Sequence, residues 1–139
     1  MNPPLITRHL LDNSVLARVQ RGEIAPSVLA PFIHGENELV ACTPQMIEAL
    51  YSTRSPAEWE TEYARRWSHL RVLPTDLTTH DIALEIQRRL WAAGKVRAAG
   101  TVDVLTAAIA MQHSAIVVHR DSDYERIAEV APEFRQVRV

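Results

Sequence analysis

The run Ile116-Val117-Val118 is apolar at every position, whereas a strand with one wet face alternates apolar and polar residues. A strand built from it needs cover on both faces, the condition of an interior strand in a parallel sheet lying between helices. Its flanks supply such cover. The residues from Thr101 onward read as a helix leading into the strand, and the acidic strand end at Asp121 and Asp123 opens another that carries Tyr124 and Ile127.

The same alternation of short apolar runs and helical segments continues through the chain. A loose lead-in, Met1 to Thr7, precedes strand candidates at Arg8–Leu11, Glu38–Ala41 and Leu70–Leu73, the last stopped by Pro74; the weakly alternating tail Phe134–Val139 suits an edge strand. Between them, Asp12 and Ser14 can cap a helix over Ser14–Gln20 that Gly22 breaks. Ile24, Val28, Leu29, Phe32 and Ile33 recur at helical spacing, with Pro31 demanding a kink or break. Thr43 as N-cap and Pro44 open a helix to Ser52 that buries Met46, Ile47 and Leu50. Pro56 opens another to about Ser68, with Trp59, Tyr63 and Trp67 in a row that suits core or a subunit contact. Thr78–Trp91 is amphipathic through Ile82, Ile86 and Leu90, and Gly94 stops it. Strands separated by helices of this length imply crossovers in a three-layer α/β/α sandwich, with a mainly parallel central sheet of four or five strands. With 139 residues, 47% of them hydrophobic, one core and one domain over residues 1–139 are expected.

Several chemistries lack their residues. The four glycines form no phosphate loop, and GxSxG and HExxH are missing. His113 and His119 flank a strand without a third ligand at zinc spacing and read as ordinary polar residues. Cys42 is the only cysteine, which excludes an intrachain disulfide and fits a reducing cytosol. Neither a basic leader with an apolar run nor eighteen consecutive apolar residues occur, so secretion and a membrane span are not expected. A net charge of −2 gives no general attraction to polyanions, and local arginines would have to supply it.

In an open α/β sheet, ligands bind outside the carboxyl ends of the strands. Asp12 and Asp121 follow predicted strands, and Asp103 and Glu48 lie near helix starts, so the fold gathers them at one edge with Asp123 beside them. Each has a local use as a helix cap or solvated charge. Together they repel unless a cation sits among them, and hard oxygen ligands of this kind suit Mg²⁺ or Mn²⁺ completed by substrate phosphate. Arg18, Arg21, Arg97 and Arg120 lie near the same edge in sequence and are candidate phosphate contacts.

Three segments carry a family resemblance. HLLDNSVLARV resembles the opening motif of PIN domains, and CTPQMIEALYS resembles their second motif, a Glu following a Pro on a short helix. VDVLTAAIAMQHSAIVVHRDSDYERI closely resembles the third and fourth motifs of VapC-type toxins. The resemblance implies an acidic set at Asp12, Glu48, Asp103 and Asp121 with Asp123 a further acid near the metal, and Ser14 as the hydroxyl that orients the first aspartate or a water. Asn13 stands where threonine is usual and His113 where glycine is frequent. The implied protein is a Mg²⁺- or Mn²⁺-dependent endoribonuclease of a bacterial or archaeal cytosol. It would be the toxin of a type II toxin–antitoxin pair, a homodimer inhibited by a VapB-like antitoxin whose C-terminal segment reaches the acidic site. Ile24 to Ile33 is a candidate groove for that antitoxin, with plain core packing the other use of the segment. Two other readings of the acids stay open: a non-catalytic PIN-like module binding RNA or protein, and a receiver-like phosphoacceptor. The latter needs a strand-end lysine, while the only lysine, Lys95, falls in a predicted helix-to-helix loop.

Overall fold

The computed structural model describes residues 5–139, so the lead-in expected over Met1–Thr7 lies outside the described residues through residue 4. Strand β1 (Thr7–Leu11) runs at the centre of a five-stranded, all-parallel sheet. β2 (Asn37–Ala41) and β3 (Arg71–Val72) lie on one side, and β4 (Ile116–His119) and β5 (Gln136–Arg138) on the other. Leu10 pairs with Val40 and Val117, and Leu11 with Val118. These rows face opposite ways. Leu10, Val40 and Val117 join a core formed with α5 (Leu77–Ala92), α6 (Thr101–Gln112) and α7 (Ser122–Val130). Leu11 and Val118 join Val15 of α1 (Asn13–Gln20), Ile24 and Leu29 on the other face. The sheet is therefore covered on both sides, as the uniformly apolar β4 requires.

Between α1 and β2 the chain makes a 3-10 turn, Pro26–Leu29, and a single helical turn, α2 (Ala30–Ile33), because Pro31 cannot continue a helix begun earlier. Ile24 and Leu29 are core residues, while Val28 and Ile33 remain exposed. α3 (Thr43–Leu50) departs from expectation in two ways. Its N-cap is Cys42, one residue earlier than Thr43, and Gln45 rather than Ile47 turns inward, leaving Ile47 62% exposed. The Gln45 amide supplies the reason. Its Oε1 accepts the Cys42 N–H at 3.1 Å and its Nε2 donates to the Leu11 carbonyl, which seats the first turn of α3 against the carboxyl end of β1.

The helix expected to Ser68 is α only through Glu62 (α4, Pro56–Glu62) and continues as a wider π turn over Tyr63–Trp67, where the Ser68 N–H reaches the Tyr63 carbonyl at 2.9 Å. The aromatic row is split by it: Trp67 is core, whereas Trp59 stacks on Tyr63 and stays partly exposed. α5 is capped by Asp76, whose carboxylate accepts the Thr78 and Thr79 N–H groups at 3.0 and 3.3 Å, and it ends at Gly94 with φ 75°.

Candidate metal centre

The strand order β3-β2-β1-β4-β5 reverses between β1 and β4, because the chain winds outward from β1 to β3 and then returns to β1's other side. A crevice opens at such a point beyond the carboxyl ends of the strands. Asp12 leaves β1 there, its N–H bonded to the Val118 carbonyl at 2.9 Å. Asp121 leaves β4 beside it, Asp103 and Asp123 stand in the first turns of α6 and α7, and Glu48 projects from α3.

The five acids form two overlapping groups, Asp12-Glu48-Asp103 and Asp103-Asp121-Asp123, and within each group the candidate ligand oxygens lie within 4.8 Å of one another. Asp12 and Asp103 are buried, Asp121 and Asp123 half-buried and Glu48 exposed, so the centre is closed on the protein side and open on one flank. The cap expected of Asp12 is present in the same side chain, and Asp121, expected as a strand-end acid or solvated turn, caps as well. Asp12 Oδ2 accepts the Ser14 N–H at 3.0 Å and Asp121 Oδ1 the Asp123 N–H at 3.0 Å. Capping takes one oxygen of each carboxylate, and each oxygen has a further lone pair for another partner. Asp103 is different: α6 is capped by Gly100, and Asp103 sits at 8% exposure without a capping bond.

Electrostatics single out the same residue. Burial, a hydrogen bond shared with Asp123 and the charges of Asp12, Asp121 and Asp123 push the Asp103 carboxyl up to about 8. Burial, followed by the charges of Asp12 and Asp121, also raises Glu48. Carboxyl groups held this close take up protons when nothing positive lies among them. A divalent cation fits this donor set, which is all carboxylate oxygen and lacks the thiolate or imidazole a softer metal would select.

Residues behind the acids hold them in place, and sequence reasoning assigned two of them, Tyr124 and His119, no part. The fully buried Tyr124 donates its hydroxyl to Asp12 Oδ1 at 2.8 Å. His119, read from the sequence as an ordinary polar residue, is fully buried. Its Nδ1 accepts the Asp121 N–H at 3.1 Å, leaving Nε2 to donate to Gln136 Oε1. The Ser14 hydroxyl accepts the Arg120 N–H at 3.0 Å and ties α1 to the β4–α7 junction. Asp123 accepts the Gly100 N–H at 3.1 Å and pairs with Arg126 at 2.8 Å. The i, i+3 spacing of Asp123 and Arg126 was a readable signal for that pair; apart from the local His119–Asp121 bond, the others join residues too distant in sequence to read.

The four arginines expected near the edge differ in freedom. Arg18 donates to the Ser14 carbonyl at 2.8 Å and Arg21 pairs with Glu23 at 2.8 Å. Arg120 turns its guanidinium to the Val139 carbonyl. Arg97 is exposed in the loop before α6. Asn13 and Arg21 line a polar cavity of about 380 Å³ with Arg66, and Glu48 lines an apolar groove of about 630 Å³ with Pro44, Ile47, Tyr51, Val102 and Leu105. Lys95 pairs with Glu129 near the end of α7, away from the acids, which removes the lysine a receiver-like centre needs.

A family model described as the PIN domain matches residues 9–130. Ribonuclease VapC51 of Mycobacterium tuberculosis is 32% identical over 123 residues, 88% of this chain and 87% of that protein. Ribonuclease VapC17 of the same species is 31% identical over 133 residues, 94% of each chain. The DNA-bound VapBC structure from Salmonella typhimurium superposes with a TM-score of 0.75 at 18% identity, over 96% of this chain and 98% of that one, a likeness of fold.

Proposed function

The chain belongs to the PIN-domain family, among the relatives of the VapC ribonucleases, and from that premise we propose that it is an endoribonuclease toxin of a type II toxin–antitoxin pair. It hydrolyses RNA phosphodiester bonds with a divalent ion, Mg²⁺ or Mn²⁺. Its partners are the RNA substrate and a VapB-like antitoxin, and it works as a homodimer in the cytosol; no helix among the described residues is long and apolar enough to cross a membrane. The observation that carries the reading is the convergence of five carboxylates at the reversal of strand order, with oxygens of each group within 4.8 Å.

Asp12, Glu48, Asp103 and Asp121 would hold the ion, with Asp123, already partnered by Gly100 and Arg126, beside them. A divalent ion bound there supplies Lewis-acid stabilisation of the phosphodiester and of the water that attacks it. The protein's own part is positional. Asp12 and Asp121 are fixed by their capping bonds, Asp103 is shielded from bulk water, and exposed Glu48 leaves the flank by which RNA enters. Asn13 and Ser14 set the first turn of α1 under Asp12. RNA approaches an acidic centre against repulsion, so cationic contacts must offset it. Arg97 is the freest of the four arginines for that role, and Arg18, Arg21 and Arg120 would have to leave the partners they have.

Incubation of the purified protein with a structured RNA pool tests the proposal, with Mn²⁺ or Mg²⁺ added, with EDTA, and with Asp103→Asn. Cleavage that needs the ion and vanishes in Asp103→Asn is expected. Full cleavage in EDTA or by that variant would overturn the assignment, and RNA binding without hydrolysis would make the chain a binding module.

A further inference from the structure

Tyr124 is the bulkiest of the fully buried side chains. Its ring is enclosed by His119, at 5.1 Å between centroids, and by Phe134, at 6.2 Å. Hydrophobic packing accounts for the ring. It does not account for the hydroxyl, a buried polar group beside the cluster of acids, which costs free energy unless it is bonded there. The bond it makes is to Asp12 Oδ1 at 2.8 Å, across 112 positions of sequence.

Asp12 is consequently held at both oxygens from the protein side, Oδ1 by Tyr124 and Oδ2 by the Ser14 N–H. The two anchors do different things. The backbone N–H of Ser14 is part of helix α1 and would be capped by any well-placed oxygen. The Tyr124 hydroxyl is a side-chain donor brought in from α7, and it fixes rotation of the carboxylate about its Cβ–Cγ bond. Each Asp12 oxygen keeps a further lone pair for another partner, and Asp12 shares its group with Glu48 and Asp103. A phenol carries its proton at neutral pH, so the hydroxyl is the donor in this bond.

We infer that the Tyr124 hydroxyl is a positioning group for Asp12, orienting that carboxylate for the divalent ion without itself touching the ion or RNA. The inference rests on the metal-centre reading above. Partners of metal ligands act this way in general: they fix ligand orientation, and their loss typically lowers metal affinity about 10- to 100-fold.

The test is Mn²⁺ titration by calorimetry of the full chain, wild type against Tyr124→Phe, with Phe134→Leu as a control. Tyr124→Phe keeps the ring and deletes only the donor, whereas Phe134→Leu loosens the same packing and touches no acid. The expected result is a rise in Kd of about 10- to 100-fold for Tyr124→Phe, with Phe134→Leu within about twofold of wild type. Cleavage by Tyr124→Phe should recover as Mn²⁺ is raised toward its new saturation, because the lost function is orientation of a ligand. A Tyr124→Phe Kd within twofold of wild type overturns the inference, as does an equal weakening in Phe134→Leu, which would assign the effect to packing. Those outcomes leave the metal centre standing. If wild type binds no Mn²⁺ that Asp103→Asn abolishes, the metal-centre reading fails and the inference falls with it.

Discussion

Arg126 Nη1 lies 2.8 Å from Asp123 Oδ1 and also donates to the Ala98 carbonyl at 3.2 Å, joining α7 to the loop before α6. Among the described residues, Asp123 is the one acid of the cluster with an ion-pair partner. It enters the centre with its charge partly neutralised, which distinguishes it from the four acids assigned to hold the ion. Arg126→Ala removes a positive charge beside a cation site. Stability without metal should change by no more than about 1 kcal/mol, because the pair is partly exposed. Mn²⁺ should bind roughly 3- to 10-fold more tightly at low salt, the Coulomb effect of one unit charge several ångströms from a divalent ion. Calorimetry at two salt concentrations checks both parts, and weaker binding would mean that Arg126 organises the centre rather than competing with the ion.

The raised Asp103 carboxyl sets a pH dependence with a definite sign. Its group binds a proton up to about 8 in the metal-free fold, against an ordinary value near 4 in the unfolded chain. Between those values the folded state holds more protons than the unfolded state, so stability falls as pH rises. The contribution is fully present below about pH 4 and is lost as pH passes through about 8. Thermal melts in EDTA should show this decline between pH 5 and 8. Mn²⁺, which binds the ionised form and releases the proton, should remove it. Asp103→Asn should flatten it without metal, since an amide carries no titrating proton; a decline unchanged in that variant would assign the effect elsewhere.

What the sequence made legible follows from the range of the forces involved. β1, β2 and β4 lie within a residue of their expected limits, because a doubly covered strand must be apolar throughout and its ends are marked by turn residues. Asp12 was readable twice over, as a cap and as a strand-end acid, and Asp121 as a strand-end acid or solvated turn; the structure gives each a capping bond at the carboxyl edge. Contacts made across the fold were not readable. Helical periodicity around Met46, Ile47 and Leu50 cannot say which side of a short edge helix is seated, and the Leu11 carbonyl decided for Gln45. Tyr124 was readable only as a residue of the last helix; it is core, and its hydroxyl's partner, Asp12, lies 112 positions away. The π turn before Ser68 likewise carries no local residue signature.

Gln45 yields a prediction of its own. The side chain is buried and satisfies the Cys42 N–H and the Leu11 carbonyl together. Gln45→Leu preserves volume approximately but leaves both backbone groups without a partner, at about 1–3 kcal/mol each. Urea unfolding should show a loss of about 2–6 kcal/mol, a large share of the stability of a small domain. Ile47→Gln, two residues on and exposed, should cost less than about 0.5 kcal/mol by the usual behaviour of surface sites. The ordering of the two tests the seating of α3, and an Ile47 variant costlier than the Gln45 variant would reverse it.

The end of α6 offers the opposite kind of change, a substitution that stabilises. Ser114 has φ 54°, in the left-handed region, and it is exposed. It occupies the position after the C-cap His113, where the Ala115 N–H reaches back to the Ala110 carbonyl at 2.8 Å. Gly94 after α5 and Gly22 after α1 hold the same conformation, at φ 75° each, and α5 closes with the matching bond from the Lys95 N–H to the Leu90 carbonyl at 2.8 Å. The motif is thus built three times, twice with glycine and once with serine. A residue with a Cβ in this region costs about 1–2 kcal/mol, partly offset by the greater backbone entropy that glycine loses on folding, about 0.5–1 kcal/mol. Ser114→Gly should therefore stabilise by about 0.5–1 kcal/mol, raising Tm by roughly 1–4 °C for a domain of this size. Mn²⁺ affinity should not move, because Ser114 lies at the amino end of β4 and the acids at its carboxyl end. A scanning calorimetry comparison decides it: an unchanged or lower Tm would mean that the serine stores no strain in that turn.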